Sequence, residues 1–175
     1  MKNTLFKILV LLLVTGSLTA QSKNEKQQKK EAGKNTAFEA IKNLVDSGSY
    51  IFDATRATAI GAGEVSLATN INRFIVKDGE LNMDLPYFGV VRGAGGYNKN
   101  PGIAYKGIPD KYEVEHIDNK RRTVIRIGVR SGTERHDLKL TVGYAGQTTI
   151  NVISSARNSI NYYGYLKPLK AEISN

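Results

Sequence analysis

In the stretch from Tyr50 to Leu166, apolar residues recur at every second position, in short segments separated by residues typical of turns. The segment from Arg122 to Arg130 shows this pattern most clearly. One face carries Thr123, Ile125, Ile127 and Val129, the other carries Arg122, Arg126 and Arg130, and Val124 alone breaks the alternation. Because successive side chains of a strand point to opposite faces, the pattern predicts a sheet with one packed face and one solvent-exposed face.

The turn residues divide this stretch into a series of predicted strands, and Asp78-Gly79 is a strong hairpin signature. The predicted strands are Ile51–Ala57, Glu64–Thr69, Asn72–Lys77, Glu80–Asp84, Gly102–Lys106, Tyr112–Ile117, Arg122–Arg130, His136–Gly143, Thr148–Ser155 and Ser159–Leu166. Short consecutive strands of this kind predict a mainly β fold, an antiparallel meander forming a barrel-like or strongly curved sheet. A two-layer β-sandwich is the alternative.

One amphipathic helix is predicted before the strands. Phe38, Ile41, Leu44 and Val45 fall at helical spacing and form one apolar stripe. The Ser47-Gly48 pair ends this segment, because glycine accepts the left-handed geometry of a helix end.

Residues 1–20 have the layout of a signal peptide: a basic start at Lys2 and Lys7, an apolar run from Ile8 to Val14, and a small, polar exit ending at Ala20. The apolar run is too short to span a bilayer, which takes about 20 residues. Residues 21–35 are rich in lysine and predict a flexible tether or a frayed helix start. Residues 36–175 are then a single β-rich domain. Since the chain has no cysteine to carry a lipid, we expect a soluble, exported protein of the periplasm or the exterior, without a lipid anchor.

Charge and composition exclude several classes of function. Much of the formal charge of +9 lies in the first 35 residues, so the remainder does not indicate nucleic-acid binding. The Lys-rich segment predicts at most weak contact with an anionic membrane face. His116 and His136 lie on different predicted strands and no thiol accompanies them, so we expect no metal site and no cofactor.

Three segments of the sequence resemble a known bacterial family. They are D-L-P-Y-F-G (Asp84 to Gly89), S-S-A-R (Ser154 to Arg157) and I-N-Y-Y-G (Ile160 to Gly164), preceded by S-G-S-Y-I-F (Ser47 to Phe52). Their order is similar to that of the domain of unknown function 4251 family, small exported proteins of which many are lipoproteins. The resemblance implies a mainly β domain of the cell envelope and supplies no activity. The chain departs from the family in lacking the lipid-accepting cysteine, and in the run V-V-R-G-A-G-G-Y after Gly89.

The candidate ligand-binding residues lie in three places. Tyr87 and Phe88 follow Pro86 and form either a corner that covers the core or a ligand-contacting lip. Arg92 and Tyr97 belong to a long glycine-rich loop, from Gly89 to Pro101, of a length that is uncommon without a function or disorder. Arg157 and Tyr163 form either an arginine stacked on tyrosines at a pocket rim, or an arginine bonded to turn carbonyls beside a tyrosine-covered sheet face.

The function predicted from these features is a non-catalytic exported binding domain for a small apolar or amphipathic molecule or an envelope component. Barrels of about eight strands have interiors just large enough for side chains or one small ligand. The alternative is a structural or interaction protein with a filled core, and a hydrolase is the third hypothesis. Since the sequence has no G-x-S-x-G motif and Ser154 has no histidine nearby in sequence, no residue is predicted to be catalytic.

Overall fold

The computed structural model describes residues 25–60, 63–67, 72–89 and 102–169. The chain divides into two compact units, residues 1–36 and 37–175. The expected leader, residues 1–20, lies outside the described residues, as does the loop from 90 to 101.

Within the first unit, residues 25–36 are helical, so the helix begins earlier than the apolar stripe predicts. These residues are mostly Lys, Glu, Gln and Ala, which favour helix without needing a buried face. Lys34 Nζ lies 2.7 Å from Glu31 Oε1, one turn away. The helix, α1, ends at residue 46, and residues 37–46 belong to the second unit.

The described residues of the second unit form ten strands in one antiparallel sheet. The strands are β1 (Tyr50–Ala59), β2 (Gly63–Ser66), β3 (Arg73–Lys77), β4 (Glu80–Leu85), β5 (Ile103–Gly107), β6 (Lys111–Ile117), β7 (Arg122–Ser131), β8 (Glu134–Gly143), β9 (Gln147–Ser154) and β10 (Ile160–Pro168). Their order across the sheet is β5-β4-β3-β1-β10-β9-β8-β7-β6, and β2 pairs with β1. The sheet is curled into a half-barrel, which confirms the predicted curved meander. The sandwich alternative is wrong, since all ten strands share one sheet.

The inner face of the half-barrel is filled by side chains. Its largest fully buried members are Tyr50, Tyr162, Phe52, Phe74, Leu67, Leu81, Met83, Leu85, Ile103, Ile125, Ile127 and Leu140. From α1, Ile41 and Val45 pack into the same cluster. Regular alternation along the strands therefore produces one continuous core.

The two ends of the sheet, β5 and β6, are consecutive in sequence, and β5 also approaches β7. On the inner side, the hydroxyl oxygens of Tyr50 and Tyr112 lie 2.7 Å apart and link β1 to β6. Burial raises the pKa of Tyr50 well above its ordinary value, so this pair is uncharged at neutral pH. Among the described residues, no helix has both the length and the apolar character needed to cross a bilayer.

Candidate functional site

A partly buried ion pair joins three separate segments of the sheet. Arg157, in the turn before β10, donates from Nε to Glu134 Oε1 at 2.9 Å and from Nη2 to Glu134 Oε2 at 3.2 Å. Its Nη1 donates to the carbonyl of Gly102 at 3.1 Å. The side chains are 10% and 18% exposed, so solvent screens the pair little.

Ser154 and His136 extend this ion pair into a polar cluster, and they face each other in the β8–β9 register. The hydroxyl of Ser154 donates to Glu134 and accepts the backbone N–H groups of Ala156 and Arg157. His136 is 2% exposed, and its Nε2 lies 3.8 Å from Glu134 Oε1. Its Nδ1 is buried and has no hydrogen-bond partner among the described residues.

The cluster shifts two protonation equilibria. Burial lowers the pKa of His136, while the nearby carboxylate of Glu134 opposes that shift. Burial by itself would raise the pKa of Glu134, but the hydrogen bonds from Ser154 and Arg157 outweigh it and the pKa is lowered. At neutral pH the cluster therefore holds a carboxylate, a guanidinium and a neutral imidazole.

Tyr87 lies under the guanidinium of Arg157, whose Cζ is 5.2 Å from the ring centroid. Tyr87 is buried, and its hydroxyl donates to the carbonyl of Asn158 at 3.0 Å. The hydroxyl of Tyr162 donates to the carbonyl of Pro86 at 2.9 Å, and Phe88 packs against the core. The corner at Pro86 thus covers the end of the core and is fixed by two tyrosine hydroxyls.

Tyr163 lies apart from this cluster, on the outer face of β10. The guanidinium carbon of Arg56 is 4.1 Å from the centroid of its ring, and Arg56 in turn pairs with Glu64 at 2.6 Å. An open recess of about 380 Å³ lies beside this ring. Of the other predicted ligand-binding residues, the structure brings Tyr87, Phe88 and Arg157 to one end of the core, whereas Arg92 and Tyr97 lie outside the described residues.

The chemistry available to the cluster follows from its bonds. Nucleophilic catalysis needs a hydroxyl activated by a general base. Ser154 donates its hydrogen bond to the carboxylate of Glu134, whose pKa, despite its burial, is lowered by the bonds from Ser154 and Arg157, so this carboxylate is a weak base. His116 is separated from His136 by β7 and contacts Thr123 and Asp46 instead. In the part of the chain that the structure describes, no three His, Cys, Asp or Glu side chains are grouped to hold a metal ion.

A second feature is an open groove of about 500 Å³ beside β5, which we call the edge groove. It is lined by Arg73 of β3, by Asn82, Met83 and Asp84 of β4, by Ala104, Tyr105 and Lys106 of β5, and by Arg130, Ser131 and Gly132 at the β7–β8 turn. In the strand register Arg73 faces Asp84, and Asn82 faces Lys106. The groove therefore lies where one end of the sheet meets the turn of a strand pair from the other end.

The edge groove carries more positive than negative charge. Arg73, Lys106 and Arg130 have no carboxylate within ion-pair distance among the described residues, and Asp84 is the acidic residue among those that line the groove. Arg130 also lines an adjoining recess of about 410 Å³, together with Lys111 and Arg135. Arg130 thus stands between two open recesses.

Comparison with known proteins decides the family. The model of the family described as "Domain of unknown function (DUF4251)" matches residues 32–166. The chain belongs to the DUF4251 family. This confirms the resemblance seen in the sequence.

A solved member of the DUF4251 family shares the fold. The crystal structure of a DUF4251 family protein from Bacteroides eggerthii DSM 20697 matches with a TM-score of 0.59 and 13% sequence identity, over 78% of this chain and 91% of that chain. The comparison with curated proteins gives no match. The DUF4251 assignment therefore establishes the architecture and assigns no activity.

Sequence reasoning missed Glu134 and the cations of the edge groove. Glu134 begins a strand directly after the Ser131-Gly132 turn, where an acidic residue is usually taken to stabilise the turn. For Arg73 and Lys106 a usable pattern was present: in a β3-β4-β5 meander, alternation places both on the outer face with Asn82. The approach of Arg130 to that face depends on the curl of the sheet, which alternation does not specify.

Proposed function

We propose that this DUF4251 protein is a non-catalytic binding domain of the cell envelope that holds an envelope component in the edge groove. The observation that supports the proposal is the groove itself, about 500 Å³ in volume and lined by polar side chains from three neighbouring strands and the β7–β8 turn. Ligand sites are usually clefts of about 300–1,000 Å³ in which a few polar groups converge on a mainly apolar lining, and the edge groove shares their volume and their convergent polar groups.

The filled inner face favours an outer site over an internal one. Tyr50, Phe52 and Tyr162 are fully buried where an apolar ligand in a barrel would lie. The recesses beside Tyr163 and Arg130 and the edge groove are open, and charged or hydroxyl-bearing residues line them. These features support a polar envelope component over a small apolar molecule.

The proposed location is the periplasm or the cell exterior. The support for it is the signal-peptide pattern of residues 1–20. The Lys-rich residues 21–35 add weak, salt-sensitive attraction to an anionic membrane face.

The test is a steric block that leaves charge unchanged. Ala104 is exposed on the groove floor, so Ala104→Trp fills the groove while the core stays intact. Native mass spectrometry of the protein isolated from its own envelope should show a retained molecule that Ala104→Trp removes. The matched control is Ser66→Trp, which adds the same ring at an exposed position of β2. Equal retention by both variants would overturn the proposal.

A second candidate is a structural or interaction protein that acts through its outer surface. The filled core favours it, since such a protein needs no cavity. It predicts that Ala104→Trp leaves every envelope interaction of the protein unchanged. A hydrolase is disfavoured by the bond from Ser154 to Glu134.

A further inference from the structure

We infer that the ligand of the edge groove is an acidic saccharide, recognised through carboxylate or phosphate groups by Arg73, Lys106 and Arg130. This inference rests on the proposed function, because it names the chemistry of a ligand held in the same groove. It follows from two properties of the lining: unpaired cations and unused hydrogen-bonding groups.

The cations come from three different strands and converge on one groove. Arg73 is on β3, Lys106 on β5 and Arg130 at the end of β7. In the described residues none of them forms an ion pair, whereas Arg126 and Arg135 on the same sheet face are paired with Glu115 and Asp137. An anion in the groove would thus meet cations that need not give up an existing partner.

Asp84 limits which anions fit. It faces Arg73 in the β3–β4 register and lines the groove, so it offsets part of the charge at that end. At the other end, Arg130 is shared with the adjoining recess, where Asp110 is the acidic lining residue among those described, and Lys111 and Arg135 are already paired with Glu113 and Asp137. The electrostatic attraction is therefore strongest for a ligand whose acidic groups lie near Lys106 and Arg130.

Neutral polar groups of the groove suit sugar hydroxyls. The side chains of Asn82 and Ser131 have no hydrogen-bond partner among the described residues. An amide both donates and accepts hydrogen bonds, as a hydroxyl does, so these two residues match the hydroxyl groups of a sugar ring.

The charge pattern of the groove favours a saccharide over a membrane. Asp84 lies among the cations, and a surface of uniformly anionic headgroups would bring negative charge against its carboxylate. A saccharide can place its hydroxyl groups beside Asn82 and Ser131 while its acidic groups reach Lys106 and Arg130. Binding of this kind should weaken as salt is added, because the groove is open to solvent.

The experiment is isothermal titration calorimetry of the purified protein with an oligogalacturonate, its neutral methyl ester, a phosphorylated mannose oligosaccharide, and vesicles of phosphatidylglycerol in phosphatidylcholine. We expect at least one acidic saccharide to bind, and the methyl ester to bind at least about tenfold more weakly than the oligogalacturonate where the latter binds. Arg130→Glu and Lys106→Glu should each lower the affinity for the saccharide that binds by about tenfold or more. Lys139→Glu is the matched control: it makes the same charge change at an exposed, unpaired lysine of β8 outside the groove.

Four results would overturn the inference: no acidic saccharide binds, the methyl ester binds as well as the acid, Lys139→Glu weakens binding as much as Arg130→Glu, or the vesicles bind and the saccharides do not. Its failure can be told apart from failure of the proposed function. If Ala104→Trp removes the retained envelope molecule but Arg130→Glu does not, the groove binds a ligand that is not anionic. If neither variant removes it, the groove is not the binding site.

Discussion

Arg157 donates two hydrogen bonds to the carboxylate of Glu134, 2.9 Å and 3.2 Å long, at a partly buried position. The pair connects the first residue of β8 to the turn before β10, and through Gly102 to the start of β5. These segments are far apart in sequence, so the pair closes one end of the half-barrel. The ring of Tyr87 on the guanidinium brings the Pro86 corner into the same connection.

We expect Arg157→Ala to lower the free energy of unfolding by about 1–3 kcal/mol, since it leaves the partly buried carboxylate of Glu134 without its charged partner. Urea denaturation of the purified protein measures this. The control is Arg135→Ala, which breaks an ion pair on the exposed face, where Nε and Nη2 of Arg135 both donate to Oδ1 of Asp137. Surface pairs of this kind contribute little, so its midpoint should stay close to wild type. A loss from Arg157→Ala no larger than that from Arg135→Ala would contradict the prediction.

The fold could be predicted from the sequence because the information needed was local. The alternation of Ile125 and Ile127 with Arg126 assigns the two faces of β7 without knowledge of its neighbours. The Glu134–Arg157 pair could not be predicted in this way. It depends on the register that sets His136 opposite Ser154 and on the path of the turn that follows, and neither is encoded in side-chain alternation.

His136 should make the stability of the protein fall in mildly acidic solution. Its pKa is lowered by burial in the native state, so between that value and 6.5 the unfolded chain binds a proton that the folded chain does not. The free energy of unfolding therefore decreases as pH falls through this interval. The charged groups around the imidazole are Glu134, Asp137 and Arg157. Glu134 also has a lowered pKa, and its contribution is lost below about 4.5.

The measurement is the urea midpoint of wild type and His136→Gln between pH 6.5 and 4.5. The wild-type protein should lose more stability over this interval than the variant does. The comparison cancels the contribution of groups that both proteins share. Parallel pH profiles for the two proteins would show that the imidazole is protonated equally easily in both states.

The hydroxyl of Tyr162 should stabilise the Pro86 corner. Tyr162→Phe removes the donor to the Pro86 carbonyl and keeps the buried ring, so we expect a loss of about 1–2 kcal/mol. Hydrogen exchange at Tyr87 and Phe88 should also become faster, because the corner opens more readily. Tyr165→Phe is the matched control on the same strand, since Tyr165 is half exposed and its hydroxyl has no hydrogen-bond partner among the described residues. Unchanged exchange at the corner in Tyr162→Phe would contradict this role.

Gly164 permits a close approach of β10 to β1. It faces Ala54 in the register, next to the irregularity between Ala54 and Arg56, and a Cβ at this position would collide with the backbone carbonyl of Asp53. Backbone atoms of a central strand pair cannot move aside as a flexible side chain can. We therefore expect Gly164→Ala to lower the free energy of unfolding by more than about 3 kcal/mol.

Gly33→Ala is the control for Gly164→Ala, because it adds the same methyl group at a helical residue where a Cβ meets nothing within 4 Å. Alanine favours helix over glycine by about 1 kcal/mol, so this variant should be at least as stable as wild type. Thermal denaturation followed by circular dichroism compares the two variants directly. If Gly164→Ala melts within a few degrees of Gly33→Ala, the strands β1 and β10 can separate at low cost to admit a Cβ, and the prediction is contradicted.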